Sequence, residues 1–187
     1  MGSTLNKTVL LLTFMAFVFF SVGMSPRQPD PFPIWNFEAS GIYIECNADR
    51  MLNFFNDKPH TMIMVVYQLT TTDAFNVAAN TGEGLKKLLQ QERFDNSVVA
   101  INAIIVQPGE KRTKVFDRVE NAQWVGVVAG YYDLVPGQAN QTFRIPVIYS
   151  KKGRIRIRKT VAIGKLHITL NLGPKTILKA GTVNETK

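Results

Sequence analysis

Eight stretches of the chain carry the apolar spacing of β-strands, and one short region interrupts them with helical spacing. Gly41 to Ala48 alternates, with Ile42, Ile44, Cys46 and Ala48 on one face and Tyr43, Glu45 and Asn47 on the other. That is the pattern of a strand half-buried against a core. Thr61 to Leu69 is apolar on both faces and predicts a central strand, and Val98 to Val106 reads the same way. Pro108-Gly109 supplies a turn before a charged strand over Lys111 to Val119. Gln123 to Tyr132 is a long apolar strand whose glycines, Gly126 and Gly130, indicate a bulge or a close approach of backbone. Thr142 to Tyr149 and Arg154 to Ile163 read as a hairpin around Lys151-Lys152-Gly153. Lys165 to Leu172 alternates strictly, with Leu166, Ile168, Leu170 and Leu172 inward and His167 on the solvated face.

The interruption follows the second strand. Thr72-Asp73 predicts a capped helical turn over Ala74 to Ala79. Glu83 to Glu92 places Leu85, Leu88 and Leu89 on one helical face. Short strands at this spacing predict a mainly β fold, a two-layer sandwich of about eight strands with a helical insertion after the second. The sandwich domain is expected over residues 39–180, with a flexible tail over 181–187.

The N-terminus has a different character. Thr8 to Val22 contains no charge. A helix over it spans roughly 22 Å, short of the roughly 30 Å of a bilayer's hydrocarbon core. The stretch fits a secretory signal peptide over residues 1–23, with an uncleaved anchor as the alternative. Pro26, Pro29, Pro31 and Pro33 follow. They favour extended polyproline II, so residues 24–38 read as a tether able to reach about 40 Å, or else as a disordered leader left after cleavage.

Composition narrows the chemistry. A hydrophobic content of 45% and charged content of 19% allow a substantial core. The single cysteine, Cys46, excludes a disulfide framework and a thiolate-rich zinc site. Two histidines, His60 and His167, leave little for a metal cluster or a nucleophile–base pair. No phosphate loop, GxSxG, HExxH or CxxC is present, so neither cofactor, metal nor enzymatic activity is expected. The net charge of +8 points to an anionic neighbour, and its placement matters more than its size.

Two features stand out. Lys151, Lys152, Arg154, Arg156, Arg158 and Lys159 form a basic run in which Ile155 and Ile157 alternate with arginines. It suits phosphates on an anionic surface or an acidic protein, or else merely protects a strand edge from aggregation. Nucleic acid is disfavoured because no aromatic stacking platform flanks the run. The second feature is the segment Asp49 to Pro59 between the first two strands, where Met51, Leu52, Phe54 and Phe55 sit in an otherwise polar loop. Clustered Met and Phe mark protein interfaces, while a phenylalanine folded back to plug the sandwich is the competing reading.

Taken in order, these parts resemble the TssJ family, the outer-membrane lipoproteins of the type VI secretion system. The resemblance rests on the signal peptide, tether and sandwich, on Val66-Tyr67-Gln68-Leu69, Phe75 and Leu88-Leu89, on Pro108-Gly109-Glu110, and most strongly on Val125 to Leu134, GVVAGYYDL after its first valine. It covers about Gly41 to Leu178. It implies a transthyretin-like sandwich without enzymatic activity, facing the periplasm from the inner leaflet of the outer membrane. It also implies binding to the C-terminal periplasmic part of TssM, with TssL in the same trans-envelope complex. In the family the loop between the first two strands takes part in that contact, which makes Met51, Leu52, Asn53, Phe54, Phe55 and Asn56 the candidate partner-binding residues. Lys151, Lys152, Arg154, Arg156 and Arg158 are the candidate anionic-surface residues. A lipoprotein needs a cysteine directly after its signal peptide, and Met24 stands in that place. Lipidation of this chain is therefore not expected. The reading from a different class is a secreted sandwich that carries a small ligand or assists periplasmic folding, which a large apolar pocket would favour.

Overall fold

The computed structural model describes residues 31–153 and 158–182. Ten strands and two helices follow in the order β1 (Glu38–Ala48), β2 (Met62–Leu69), α1 (Asp73–Ala79), α2 (Gly82–Leu88), β3 (Val98–Val106), β4 (Lys111–Arg118), β5 (Trp124–Ala129), β6 (Asn140–Arg144), β7 (Val147–Lys152), β8 (Arg158–Ile163), β9 (Leu166–Leu172) and β10 (Ile177–Thr182). One sheet has the order β10-β9-β1-β4, a second β3-β2-β5-β6, and β7 pairs, among the described residues, with β8 alone. β1 runs parallel to β9, and every other pairing is antiparallel.

Alternation sets which sheet face turns inward. Ile42, Ile44 and Cys46 of β1 and Leu166, Ile168, Leu170 and Leu172 of β9 are buried, and they join Met64, Val66, Val125 and Val127 of the second sheet in one core. Gln68 lies buried among them and clips the sheets together. Its Nε2 donates to the Asp117 carbonyl at 2.8 Å, and its Oε1 accepts from the Val119 amide at 2.9 Å. β2 is apolar on both faces because the helices cover its other side. The Tyr67 hydroxyl donates to the Leu88 carbonyl, and the Tyr67 ring meets Phe75 and Phe94 edge-on at 5.9 and 5.4 Å. Gly126 in β5 and Gly130 just beyond its end are both close approaches: a Cβ on Gly126 would stand 2.7 Å from the Phe75 ring, and one on Gly130 would stand 3.0 Å from the Ile63 carbonyl.

Several expectations need correction. Thr142 to Tyr149 is two strands rather than one. Pro146 has no amide to donate, and the buried Ile145 turns back so that its own amide donates to the Gln123 carbonyl at 2.9 Å. β10 went unforeseen because only Ile177 of its residues is buried, which leaves no alternation to read. β3 lies at a sheet edge, not its middle, with Ile105 exposed. Thr72 precedes α1 without a side-chain cap, whereas Thr81 caps α2 by accepting from the Gly84 amide at 3.0 Å. α2 ends at Leu88, and Leu89 packs against the core from the turn beyond. The first strand begins at Glu38, and the segment before it is seated on the domain through Trp35. The Trp35 carbonyl accepts from the Asn121 amide at 2.8 Å, and the buried Arg118 guanidinium lies 5.8 Å from the Trp35 ring centre.

The buried acids make a prediction. Desolvation, helped by the Glu110 carboxylate, raises the Cys46 thiol from 9.0 to about 12. Desolvation, with Glu92, raises the Tyr67 hydroxyl to about 12. Both hold protons more tightly folded than unfolded, so their contribution is complete below about pH 9 and is lost as the pH rises toward 12. Thermal melts are expected to be level up to pH 9 and to fall above it, with Cys46 reacting with a thiol reagent only on unfolding. A native thiol that titrates near pH 9 would contradict this burial.

Candidate partner interface

The β1–β2 loop is built to hold a fixed shape. Its entry is an Asx turn, in which the Met51 amide donates to Asp49 Oδ1 at 2.7 Å. The Asp49 carbonyl accepts from the Leu52 amide at 3.0 Å and from the Gly109 amide at 2.9 Å, which ties the loop to the β3–β4 turn. Farther along, the Phe54 amide donates to the Pro174 carbonyl at 2.7 Å, and the His60 amide closes the loop on the Leu52 carbonyl at 3.0 Å. Asn53, Asn56 and Asp57 have φ of 49°, 48° and 58°. Asn and Asp tolerate that left-handed region better than other side chains. Asn56-Asp57 thus forms a two-residue turn between Phe55 and Lys58, whose amides and carbonyls pair at 2.9 and 3.1 Å.

This backbone sorts the candidate residues. Leu52, 0% exposed, plugs the end of the sandwich, and Asn53, 4% exposed, accepts from the Tyr132 amide through Oδ1 at 2.9 Å. These two shape the loop from beneath and present no surface. Phe54 is half-buried, and Asn56 is exposed at the turn. Met51 and Phe55 are 43% and 39% exposed. Phe55 does not stand alone: its ring stacks on Tyr132 at 4.4 Å, and His60 meets the far partner, Tyr132, edge-on at 4.9 Å. The surface is therefore a rigid aromatic platform of Phe55 and Tyr132, the latter 53% exposed, with Met51 on the same loop. The residue folded back into the sandwich is Leu52 rather than either phenylalanine, while Met51 and Phe55 keep part of their surface in solvent.

Tyr132 and His60 escaped the reading from sequence as parts of this platform. Both were visible in type, Tyr132 in the GYYDL run and His60 at a strand entry, but nothing in their spacing places them beside Phe55. His167, expected in solvent, instead lies half-buried with its ring flat on Tyr43 at 4.4 Å. Lys151 is exposed on β7, Lys152 and Arg158 fall at the distal ends of β7 and β8, and Arg154 and Arg156 lie outside the described residues, as does Met24. Cys46 is buried in β1, out of reach of a modifying enzyme.

Little else resembles a site. Among the described residues no three metal-capable side chains converge, and no helix is long and apolar enough to cross a membrane. An open cleft of about 650 Å³ lies beside Tyr132, lined by Glu83, Lys86, Asp133 and Lys175 among others. It is an open surface groove lined in part by charged side chains, unlike the enclosed apolar pocket that suits a small ligand.

The described residues thus form a two-sheet sandwich that carries an aromatic surface on a loop of fixed shape. The model of the T6SS-SciN family, described as type VI secretion lipoprotein, VasD, EvfM, TssJ, matches residues 41–172, and the chain belongs to that family. The fold agrees with solved structures. TssJ1, the T6SS lipoprotein from Pseudomonas aeruginosa, aligns with a TM-score of 0.59 at 20% identity over 81% of this chain and 98% of that one. Serratia marcescens Lip, a membrane-bound component of the type VI secretion system, gives 0.53 at 16% identity over 78% and 98%. A chain from the structure of the T6SS protein TssM C-terminal domain from EAEC gives 0.53 at 14% identity over 76% and 97%. No curated protein matches the chain by sequence.

Proposed function

We propose that this protein is a non-enzymatic periplasmic component of the type VI secretion membrane complex, which binds the C-terminal periplasmic domain of TssM through the Met51, Phe55 and Tyr132 surface. Family membership supports the setting. The observation that carries the site is the exposed Phe55–Tyr132 stack on a loop fixed by hydrogen bonds at both ends and in its middle. Preformed aromatic anchors lose little conformational freedom on binding and commonly supply most of an interface's energy. Bound to TssM, and with TssL in the same assembly, the protein helps join the outer membrane to the inner-membrane machinery. It sits at the inner leaflet of the outer membrane, without a lipid at Met24.

Calorimetric titration of the purified chain with the TssM periplasmic domain of the same bacterium tests this reading. A saturable complex with a negative heat-capacity change, the mark of apolar burial, is expected. No complex at either low or high salt would refute it.

A further inference from the structure

Apart from the β7–β8 ribbon, the sheets of the described residues have four outer strands, β10 and β4 of one and β3 and β6 of the other. An outer strand offers backbone amides and carbonyls to any extended chain that meets it, and charge, proline or shortness normally deters the encounter. Three of the four follow that rule. β4 carries Lys111, Arg112 and Lys114, β6 is five residues long and ends in Arg144, and β10 has Lys179. β3 does not. Its nine residues, Val98–Val106, include no charge and no proline, and Ala103 and Ile105 are exposed on its outward face. Pairing with β2 does not require this. A lysine at 103 or 105 would leave the β2–β3 register intact, because both side chains already stand in solvent.

The sequence of β3 also says what fits against it. Read outward from Asn102, the strand is its own antiparallel complement. A second copy, turned about a two-fold axis through Asn102, sets Ala100 opposite Ile104 and Ile101 opposite Ala103. Each bulky side chain then faces a small one, once on either face of the sheet. β-branched residues meet at both ends, and the one polar residue meets itself, where two side-chain amides can donate to and accept from each other. The buried Val98, Ile104 and Val106 mark the core-facing side, and this register keeps that side continuous across the pair. A shift of one residue would set core-facing side chains against solvent-facing ones. The first carbonyl of the strand, Val98, already accepts from Arg93 Nε at 2.9 Å, at the end farthest from the axis.

We propose that two copies of this chain associate edge to edge through antiparallel β3–β3 pairing, which joins their β3-β2-β5-β6 sheets into one. A single strand pair is a small interface, so the dimer is weak and reversible. It uses none of the residues assigned to the TssM contact, goes beyond that contact and does not depend on it.

Register-specific cross-linking of the full-length chain, held in mild detergent, tests the pairing. Asn102→Cys brings two thiols together at the axis, where opposite Cα atoms lie about 5 Å apart, within reach of a disulfide. Val99→Cys and Ile105→Cys each set their own thiols roughly 20 Å apart along the paired strands, but place them opposite one another when the two proteins are mixed. Buried Cys46 contributes little background. Under a mild oxidant, Asn102→Cys is expected to give a linked dimer. Val99→Cys and Ile105→Cys should stay monomeric alone and link when mixed, which keeps the test valid if position 102 does not tolerate cysteine. Ala103→Lys, added to the Asn102→Cys chain, should slow linking at least roughly tenfold by placing a charge at the edge of each copy. Its melt and its affinity for the TssM domain should not change, which separates this result from the interface reading. The proposal is overturned if neither Asn102→Cys nor the mixture links, or if Val99→Cys alone links as fast, which would mark association without register. It is overturned equally if Ala103→Lys leaves linking unchanged, or if linking appears only once the TssM domain is added.

Discussion

Replacing Phe55 and Tyr132 together by alanine is expected to weaken binding of the TssM periplasmic domain by at least roughly 30-fold, since a central aromatic anchor is worth about 2 kcal/mol or more. The two rings stack at 4.4 Å and both are partly exposed to solvent. Truncating either one removes contact area and also leaves the other ring less constrained, so the single variants should not be additive. The free protein should melt almost unchanged, because neither ring belongs to the buried core. Ile105→Ala, an exposed residue on the β3 edge, is the control and should alter neither property. A fluorescence or calorimetric titration reads the affinity. An unchanged dissociation constant for the double variant would move the interface elsewhere on the molecule.

Leu52→Ala should behave in the opposite way. Its side chain is fully buried at the end of the sandwich, so truncation removes apolar contact and leaves a cavity, at a cost of about 2–5 kcal/mol. For a chain of this size that corresponds to a fall in melting temperature on the order of 5–15 °C. Leu52 also accepts the His60 amide and follows Met51, so loss of its packing should loosen the platform and weaken the partner contact as a secondary effect. Leu52→Met, which nearly conserves volume, should restore most of both. A melt shifted by less than a degree or two would show that the loop end is not part of the cooperative core.

The contrast between these residues shows what the sequence reveals and what it hides. β1, β2 and β9 were legible because burial repeats every second residue, or every residue where both faces are covered, and the apolar positions print that repeat directly. β10 was not, because only Ile177 of its residues is buried and no repeat is printed, and the break at Ile145-Pro146 was not, because the Ile145 amide is held by the Gln123 carbonyl, distant in sequence. The loop was legible as an apolar cluster in a polar segment. Which of Leu52 and Phe55 faces inward was not, since irregular backbone has no period, and the answer lies in left-handed Asn53, Asn56 and Asp57. The adjacent tyrosines show the same limit. Tyr131 is buried, its hydroxyl proton held more tightly for that reason, while Tyr132 turns out to join Phe55, just past the end of β5 where alternation no longer applies.

Hydrogen–deuterium exchange of the full chain, with and without the TssM periplasmic domain, tests the central claim most directly. The account predicts added protection in peptides covering residues 49–60 and 130–134, with the β3 edge over 98–106 and the ribbon residues 147–152 and 158–163 unchanged. Protection confined to the β3 edge or to the ribbon, with 49–60 exchanging as in the free protein, would contradict it.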